Sequence, residues 1–155
     1  MLPDRTPCDD VTLLLVRTRS LNPGRVATWA LPRDRSAAGH ARALAAHQLT
    51  EWGLEDLEDA TKLIVSELVT NAVRHGTGPI ALRLLRHRVL TCEVSDTAAF
   101  IPRQRRARAT DENGRGLSLV TNLSRRWGAR STSGGKVVWA EQDLPHTSAR
   151  RPVAA

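Results

Sequence analysis

The stretch Leu57-Glu58-Asp59-Ala60-Thr61-Lys62-Leu63-Ile64-Val65-Ser66-Glu67-Leu68-Val69-Thr70-Asn71-Ala72-Val73-Arg74-His75-Gly76 decides the fold. Leu57, Ala60, Ile64, Leu68 and Ala72 recur at intervals of three and four, which is one apolar stripe of a helix. The spacing predicts a helix from about Asp56 to His75, with Gly76 as its C-cap. Glu67 and Asn71 stand one turn apart and project together, well round the helix from the apolar stripe, and Arg74 follows three residues later. An acid, an amide and a guanidinium beside such a stripe also describe a solvated face, so the flanking chain has to decide between the two readings.

Upstream, Val26-Ala27-Thr28-Trp29-Ala30-Leu31 is a short β-compatible run closed by Pro32. Asp34 or Ser36 then caps a helix that carries Ala37, Ala41, Leu44, Ala45 and Leu49 to about Trp52, where Gly53 breaks the pattern. Downstream of Gly78-Pro79 the period falls to two. Ile80, Leu82 and Leu84 share a face of one strand, and after a turn at Arg86 to Arg88 so do Leu90, Cys92 and Val94 of the next. Asp96 keeps that parity, so an acid emerges on the apolar face. Residues 97–113 have no period and include Pro102, Arg103, Arg105, Arg106 and Arg108, which reads as a long loop. A third helix begins at Gly114 or Gly116 and carries Leu117, Val120 and Leu123, and a hairpin of Trp127–Thr132 and Lys136–Gln142 turns at Ser133-Gly134-Gly135. The order β-α-α-β-β-loop-α-β-β is that of an α+β two-layer sandwich, with helices on one face of a mostly antiparallel mixed sheet. Residues 1–24 read as an N-terminal extension, 25–143 as the domain and 144–155 as a disordered tail.

The chain has 155 residues, room for one cored domain and not two. Its 41% hydrophobic and 25% charged content is globular rather than disordered. Lys and Arg outnumber Asp and Glu by 23 to 16, all but Lys62 and Lys136 being Arg, and the net +7 raises nucleic acid as a first partner class. No RNP, zinc-finger or basic-zipper pattern accompanies that charge. Cys8 and Cys92 are too far apart in sequence to suggest a metal or redox motif. The five histidines share no metal spacing, and no Ser/His/Asp arrangement is visible. Val11–Val16 is far too short to span a bilayer, which makes cytoplasmic residence the expectation. The four tryptophans read as core or interface anchors.

Three segments carry chemistry. Glu67 and Asn71 form the first. Asp96 is the second: a carboxylate ending an apolar face needs a donor, and the exocyclic amine of a purine would serve. The third is Asn113-Gly114-Arg115-Gly116-Leu117, glycines at a helix start that let backbone N–H groups approach a phosphate. In this order, Glu67-Leu68-Val69-Thr70-Asn71-Ala72-Val73-Arg74-His75, Val94-Ser95-Asp96 and Gly114-Arg115-Gly116-Leu117 resemble the N, G1 and G2 boxes of the GHKL ATP-binding fold, shared by gyrase, histidine kinases and a heat-shock chaperone. Ser66 to Ala72, Gly114 to Leu117, Arg126-Trp127-Gly128 and Gly135-Lys136-Val137-Val138-Trp139-Ala140 are most similar to the small bacterial anti-sigma-factor serine/threonine kinases. The resemblance covers about residues 26–142. It implies an ATP-dependent protein kinase acting on an anti-sigma-antagonist partner, with a sigma factor as client and a homodimer as assembly. It further implies that Asn71 ligates Mg²⁺ and that Glu67 is the catalytic base. Asp96 would accept from the adenine amine, Arg74, His75, Gly114, Arg115, Gly116 and Leu117 would line the nucleotide, and the 97–113 loop would be the lid. Thr97-Ala98-Ala99-Phe100 follows Asp96 where the wider fold has glycines at the second and fourth positions, a departure that bears on turnover more than on fold. It leaves a non-catalytic ATP-binding module as the alternative, with direct nucleic-acid binding last.

Overall fold

The computed structural model describes residues 22–98 and 112–145. A 3₁₀ turn at Pro23–Arg25 leads into β1 (Val26–Leu31), followed by α1 (Ala37–Trp52), a second 3₁₀ turn at Glu55–Leu57 and α2 (Glu58–His75). Then come β2 (Ile80–Arg86), β3 (Val89–Asp96), α3 (Glu112–Leu123), β4 (Arg126–Thr132) and β5 (Gly135–Asp143). The predicted extension up to residue 21, the lid residues 99–111 with their arginines, and the tail from residue 146 lie outside the described residues.

The five strands form one sheet in the order β1-β2-β3-β5-β4, and each described pairing is antiparallel. The chain leaves β3, crosses through α3 to the sheet edge at β4 and turns back, so that β5 lies beside β3. Period two is what lets this sheet carry helices on one face. Ile80, Leu82 and Leu84 of β2, Leu90, Cys92 and Val94 of β3 and Val138 and Ala140 of β5 all point inward and are buried. Arg83, Glu93, Trp139 and Arg130 alternate to the opposite side.

Against the inner face, α1 buries Ala37, Ala41, Ala45, Leu49 and Trp52 and closes on a left-handed Gly53 at φ 65°. Its first turn is organised by Asp34, whose Oδ1 accepts from the Ser36 backbone N–H at 2.7 Å. The hydroxyl of Ser36 donates to the same oxygen. Its small side chains let α2 approach closely. α2 buries Thr61, Ile64, Val65, Leu68, Val69 and Ala72, a wider band than the single predicted stripe, because it is covered by both α1 and the sheet. Thr61 takes the buried place expected of Ala60, and its hydroxyl donates to Gln142 Oε1 at 2.8 Å, fastening α2 to β5. Each fully buried Leu or Ile contributes about 1.5–3 kcal/mol, enough for this packing to fix how α2 is rotated and hence where Glu67 and Asn71 emerge.

Trp29 and Trp127 pack on the core and Trp52 is buried within it. Trp139 instead lies on the helix-free face, with the Arg126 guanidinium 5.6 Å from its ring centre.

Candidate functional site

With its apolar band held inward, α2 presents Glu67 and Asn71 half-buried on one side, and Arg74 and His75 exposed on its last turn. Among the described residues neither Glu67 nor Asn71 has a hydrogen-bond or ion-pair partner, so both polar ends are available to something else. α3 crosses close over Glu67. A Cβ placed on Gly116 would sit 2.1 Å from Glu67 Oε2, so the missing side chain is what lets the two helices come together here.

The start of α3 differs from the sequence expectation. The helix begins at Glu112, so Gly114 and Gly116 lie inside it rather than ahead of it. The N–H groups a helix leaves free are those of its first turn. Gly116 and Leu117 fall beyond that first turn. What Gly116 does provide is space for the Glu67 carboxylate. Of Arg115 only the place in the helix is described.

The second end of the site lies where α2 stops. Gly76 leaves α2 in an extended conformation (φ −87°, ψ 179°) rather than the left-handed one usual for a glycine cap. A Cβ on Gly76 would meet the Ala72 carbonyl oxygen at 2.5 Å and Asp96 Cγ at 2.7 Å, so the position is kept open for the acid. β3 is tied to this corner by Thr97, whose N–H and hydroxyl both donate to the Thr77 carbonyl, at 2.9 and 2.7 Å. Arg33 donates from Nε to the Gly78 carbonyl at 2.7 Å and from Nη1 to that of Val73 at 3.1 Å, satisfying the last turn of α2.

Asp96 is buried, as its strand parity predicts, and its Oδ1 accepts from the Ala98 N–H at 2.8 Å. The same oxygen lies 3.1 Å from Nζ of Lys136, with 2% and 5% of the acid and lysine side chains exposed. The pairing follows from register: Lys136 stands opposite Asp96 on β5 and shares its inward face. The β4–β5 turn closes over the corner, since a Cβ on Gly135 would lie 2.1 Å from the Asp96 carbonyl oxygen. Removing one member of so buried a pair typically costs about 3–5 kcal/mol.

Of the sequence-predicted residues, Glu67, Asn71 and Asp96 thus fall at two stations along one helix, while Arg74 and His75 stay exposed on its last turn. Glu67, Asn71 and α3 form one, and Gly76, Asp96 and Lys136 the other. At 1.5 Å rise per residue, Glu67 and Gly76 are separated by about 13 Å along α2, room for an extended nucleoside triphosphate with Asn71 between its ends. No cluster of three or more His, Cys, Asp or Glu capable of holding a metal occurs among the described residues. The donor set instead fits a cation that takes few protein ligands and keeps phosphate oxygens and waters, as Mg²⁺ does. Cys92 offers no rival nucleophile, because burial first, and Glu93 second, push its thiol up to about 12.

A family model of the histidine kinase-like ATPase domain matches residues 29–141. The chain belongs to that family. Among solved structures, the chain is similar to the crystal structure of the RsbU and RsbW domains of Rv1364c from Mycobacterium tuberculosis, at 20% identity with a TM-score of 0.59. The match covers 77% of this chain and 32% of that one, so the chain spans about a third of the length of that neighbour. The likeness is one of fold. No curated protein matches the chain. No helix among the described residues is long and apolar enough to cross a membrane.

Lys136 is the site residue that sequence reasoning missed in this histidine kinase-like ATPase domain. A signal existed: in β5, Lys136 shares the parity of Val138 and Ala140, so a cation was due on the same inner face as Asp96. Gly76 and Gly135 are the other omissions, since each leaves the space that the acid and its backbone occupy.

Proposed function

We propose that this domain binds ATP with Mg²⁺ and transfers the γ-phosphate to a serine or threonine hydroxyl of an anti-sigma-antagonist protein. The base would lie at Asp96, whose carboxylate accepts from the 6-amino group, and the phosphates toward Asn71 and the first turn of α3. The observation that carries the reading is the Glu67–Asn71 pair, half-buried without partners among the described residues, with Glu67 directly beneath Gly116 of α3. An acid so placed can take the proton of an attacking hydroxyl as its oxygen bonds to the γ-phosphorus and the bond to the β-bridging oxygen breaks, releasing ADP. The side-chain oxygen of Asn71 would hold Mg²⁺, which when bound draws off phosphate charge. α3 packed over Glu67 limits water around the acid, which favours transfer over hydrolysis. The family match supports ATP as donor, and the resemblance of the Ser66 to Ala72 and Gly114 to Leu117 segments to anti-sigma-factor kinases supports the choice of reaction and partner class.

A second reading, a domain that binds ATP without turning it over, is favoured by the segment after Asp96. Thr97 and Ala98 are both hydrogen-bonded into the corner, where the wider fold has a glycine at position 98. Calorimetric titration with Mg²⁺ and ATP should give binding in the wild type and its shared loss in Asn71→Ala and Asp96→Ala. Labelled ATP with a cognate antagonist should then give phosphate transfer that Glu67→Ala abolishes. Transfer unchanged in Glu67→Ala would remove the assigned base, and binding without any transfer would leave the second reading.

A further inference from the structure

The base end of the site contains a buried cation to which the proposed function gives no role. Lys136 Nζ lies 3.1 Å from Asp96 Oδ1, and Asp96 is its ion-pair partner among the described residues. An ammonium has three donors and no acceptor, so one carboxylate contact leaves donor capacity at the point where the base would arrive. We propose that Lys136 is a second base-reading group, donating to ring nitrogen N1 of adenine while Asp96 accepts from the neighbouring 6-amino group.

The assignment rests on the ATP reading above and deepens it. N1 and the 6-amino group are adjacent on one edge of adenine, an acceptor beside a donor. Lys136 and Asp96 set a donor beside an acceptor, within hydrogen-bonding distance of each other, on paired positions of β3 and β5. The couple is fixed from several sides. Ala98 N–H holds the carboxylate, Gly76 leaves room for it, and Gly135 lies against the backbone of Asp96 and Thr97. A base that carries an oxygen at the 6-position would set that oxygen against the carboxylate, so the ordered pair favours adenine over guanine.

Burial explains why the second reader is charged. Both side chains are almost wholly covered in the ligand-free chain, and a lone carboxylate in that position would be strongly disfavoured. The paired couple is neutral while covered and presents both hydrogen-bonding heads together once a base displaces what covers them. A purely structural ion pair would serve the first purpose and would be indifferent to N1 of the ligand.

The probe is 1-deaza-ATP, in which N1 is replaced by C–H. The full chain is titrated calorimetrically with Mg²⁺ and either ATP or 1-deaza-ATP. A charge-assisted hydrogen bond to N1 makes the analogue bind more weakly by about tenfold or more. In Lys136→Met the two nucleotides should bind equally. Should that variant fail to fold, judged by its melting transition, Lys136→Gln, which keeps an uncharged donor beside Asp96, serves for the same comparison and should narrow the difference between the two nucleotides. Equal binding of the two nucleotides by the wild type overturns the assignment while leaving the ATP reading intact, and so does discrimination that persists without Lys136. A wild type that binds neither nucleotide overturns the ATP reading itself, and the assignment with it.

Discussion

Gly116→Ala separates the two roles a glycine can have in α3. The substitution adds one methyl group inside a helix, where alanine is favoured over glycine by about 1 kcal/mol. The added Cβ would start 2.1 Å from Glu67 Oε2, whereas ordinary van der Waals contact begins near 3.4 Å. The carboxylate therefore has to retreat by more than 1 Å. It can do so cheaply, because the nearest atom is the far end of a flexible, half-buried side chain and not backbone. Folding stability is thus expected to hold or rise, by about 2–4 °C in Tm for a chain of this size. Positioning is expected to suffer, since a displacement of about 1 Å at a reacting group can cost on the order of 100-fold in rate. Thermal unfolding followed by circular dichroism and turnover of ATP to ADP measured on one preparation give both numbers. A variant that keeps its Tm but loses about two orders of magnitude in turnover supports Glu67 as the acid at the reacting end. Unchanged turnover would refute the reasoning, because the carboxylate would have been moved without consequence. A large fall in Tm would refute it differently, by showing that α3 and not the glutamate has to yield.

Three further outcomes follow from contacts away from the reacting end. Thr61→Val leaves Gln142 Oε1 buried without its 2.8 Å donor and should cost about 1–3 kcal/mol, read as a lower midpoint in chemical denaturation with little change in slope. Gly78→Ala forces a left-handed alanine at φ 62° and sets its Cβ 2.2 Å from the Thr97 hydroxyl; a loss of about 1–2 kcal/mol is expected, whereas an unaltered melting curve would mean that the corner yields freely. Cys92, its thiol raised from 9.0 to about 12, should resist thiol reagents at pH 8 until denaturant is added. Since its folded value is the higher one, the stability it contributes is present below about pH 9 and is lost as pH rises toward about 12, which alkaline denaturation midpoints of wild type and Cys92→Ala would expose.

Much of the fold was legible because its deciding signals are local. The 3.6-residue period of α2 needs no tertiary information, and the parity Leu90, Cys92, Val94, Asp96 placed the acid on the buried face before any neighbour was known. What could not be read locally is which strand lies beside β3. Sequence shows β5 as the partner of β4 across the Ser133-Gly134 turn. That β5 also pairs with β3 depends on α3 carrying the chain to the sheet edge and back, and only this order sets Lys136 opposite Asp96. A lysine flanked by glycine and valine therefore looks like an ordinary strand end. The start of α3 was also not legible: Asn113 and Gly114 are helix-boundary residues by propensity, yet both lie inside α3.

The arginine excess shows why composition misleads when read alone. Among the described residues, Arg83 and Arg130 both lie on Glu93, Arg126 grips Glu141 through two hydrogen bonds, and Arg125 pairs with Asp143. Three more bind neutral oxygens: Arg33 those of Val73 and Gly78, Arg42 the Ser66 hydroxyl, and Arg86 the Trp52 carbonyl. Exposed pairs of this sort add little stability, about 0–1 kcal/mol each. Their geometry is the informative part, because a planar fork with several donors suits a role in tying segments together in a way a lysine does not. A nucleic-acid surface needs its cations unengaged and gathered into a stripe. The described arginines without such a partner, Arg25, Arg35, Arg74 and Arg88, belong to four different segments: the turn before β1, the approach to α1, the end of α2 and the β2–β3 turn. The charge that first suggested an external polyanion is therefore, in this part of the chain, largely committed to tying the strands of the sheet to one another and the helices to their neighbours.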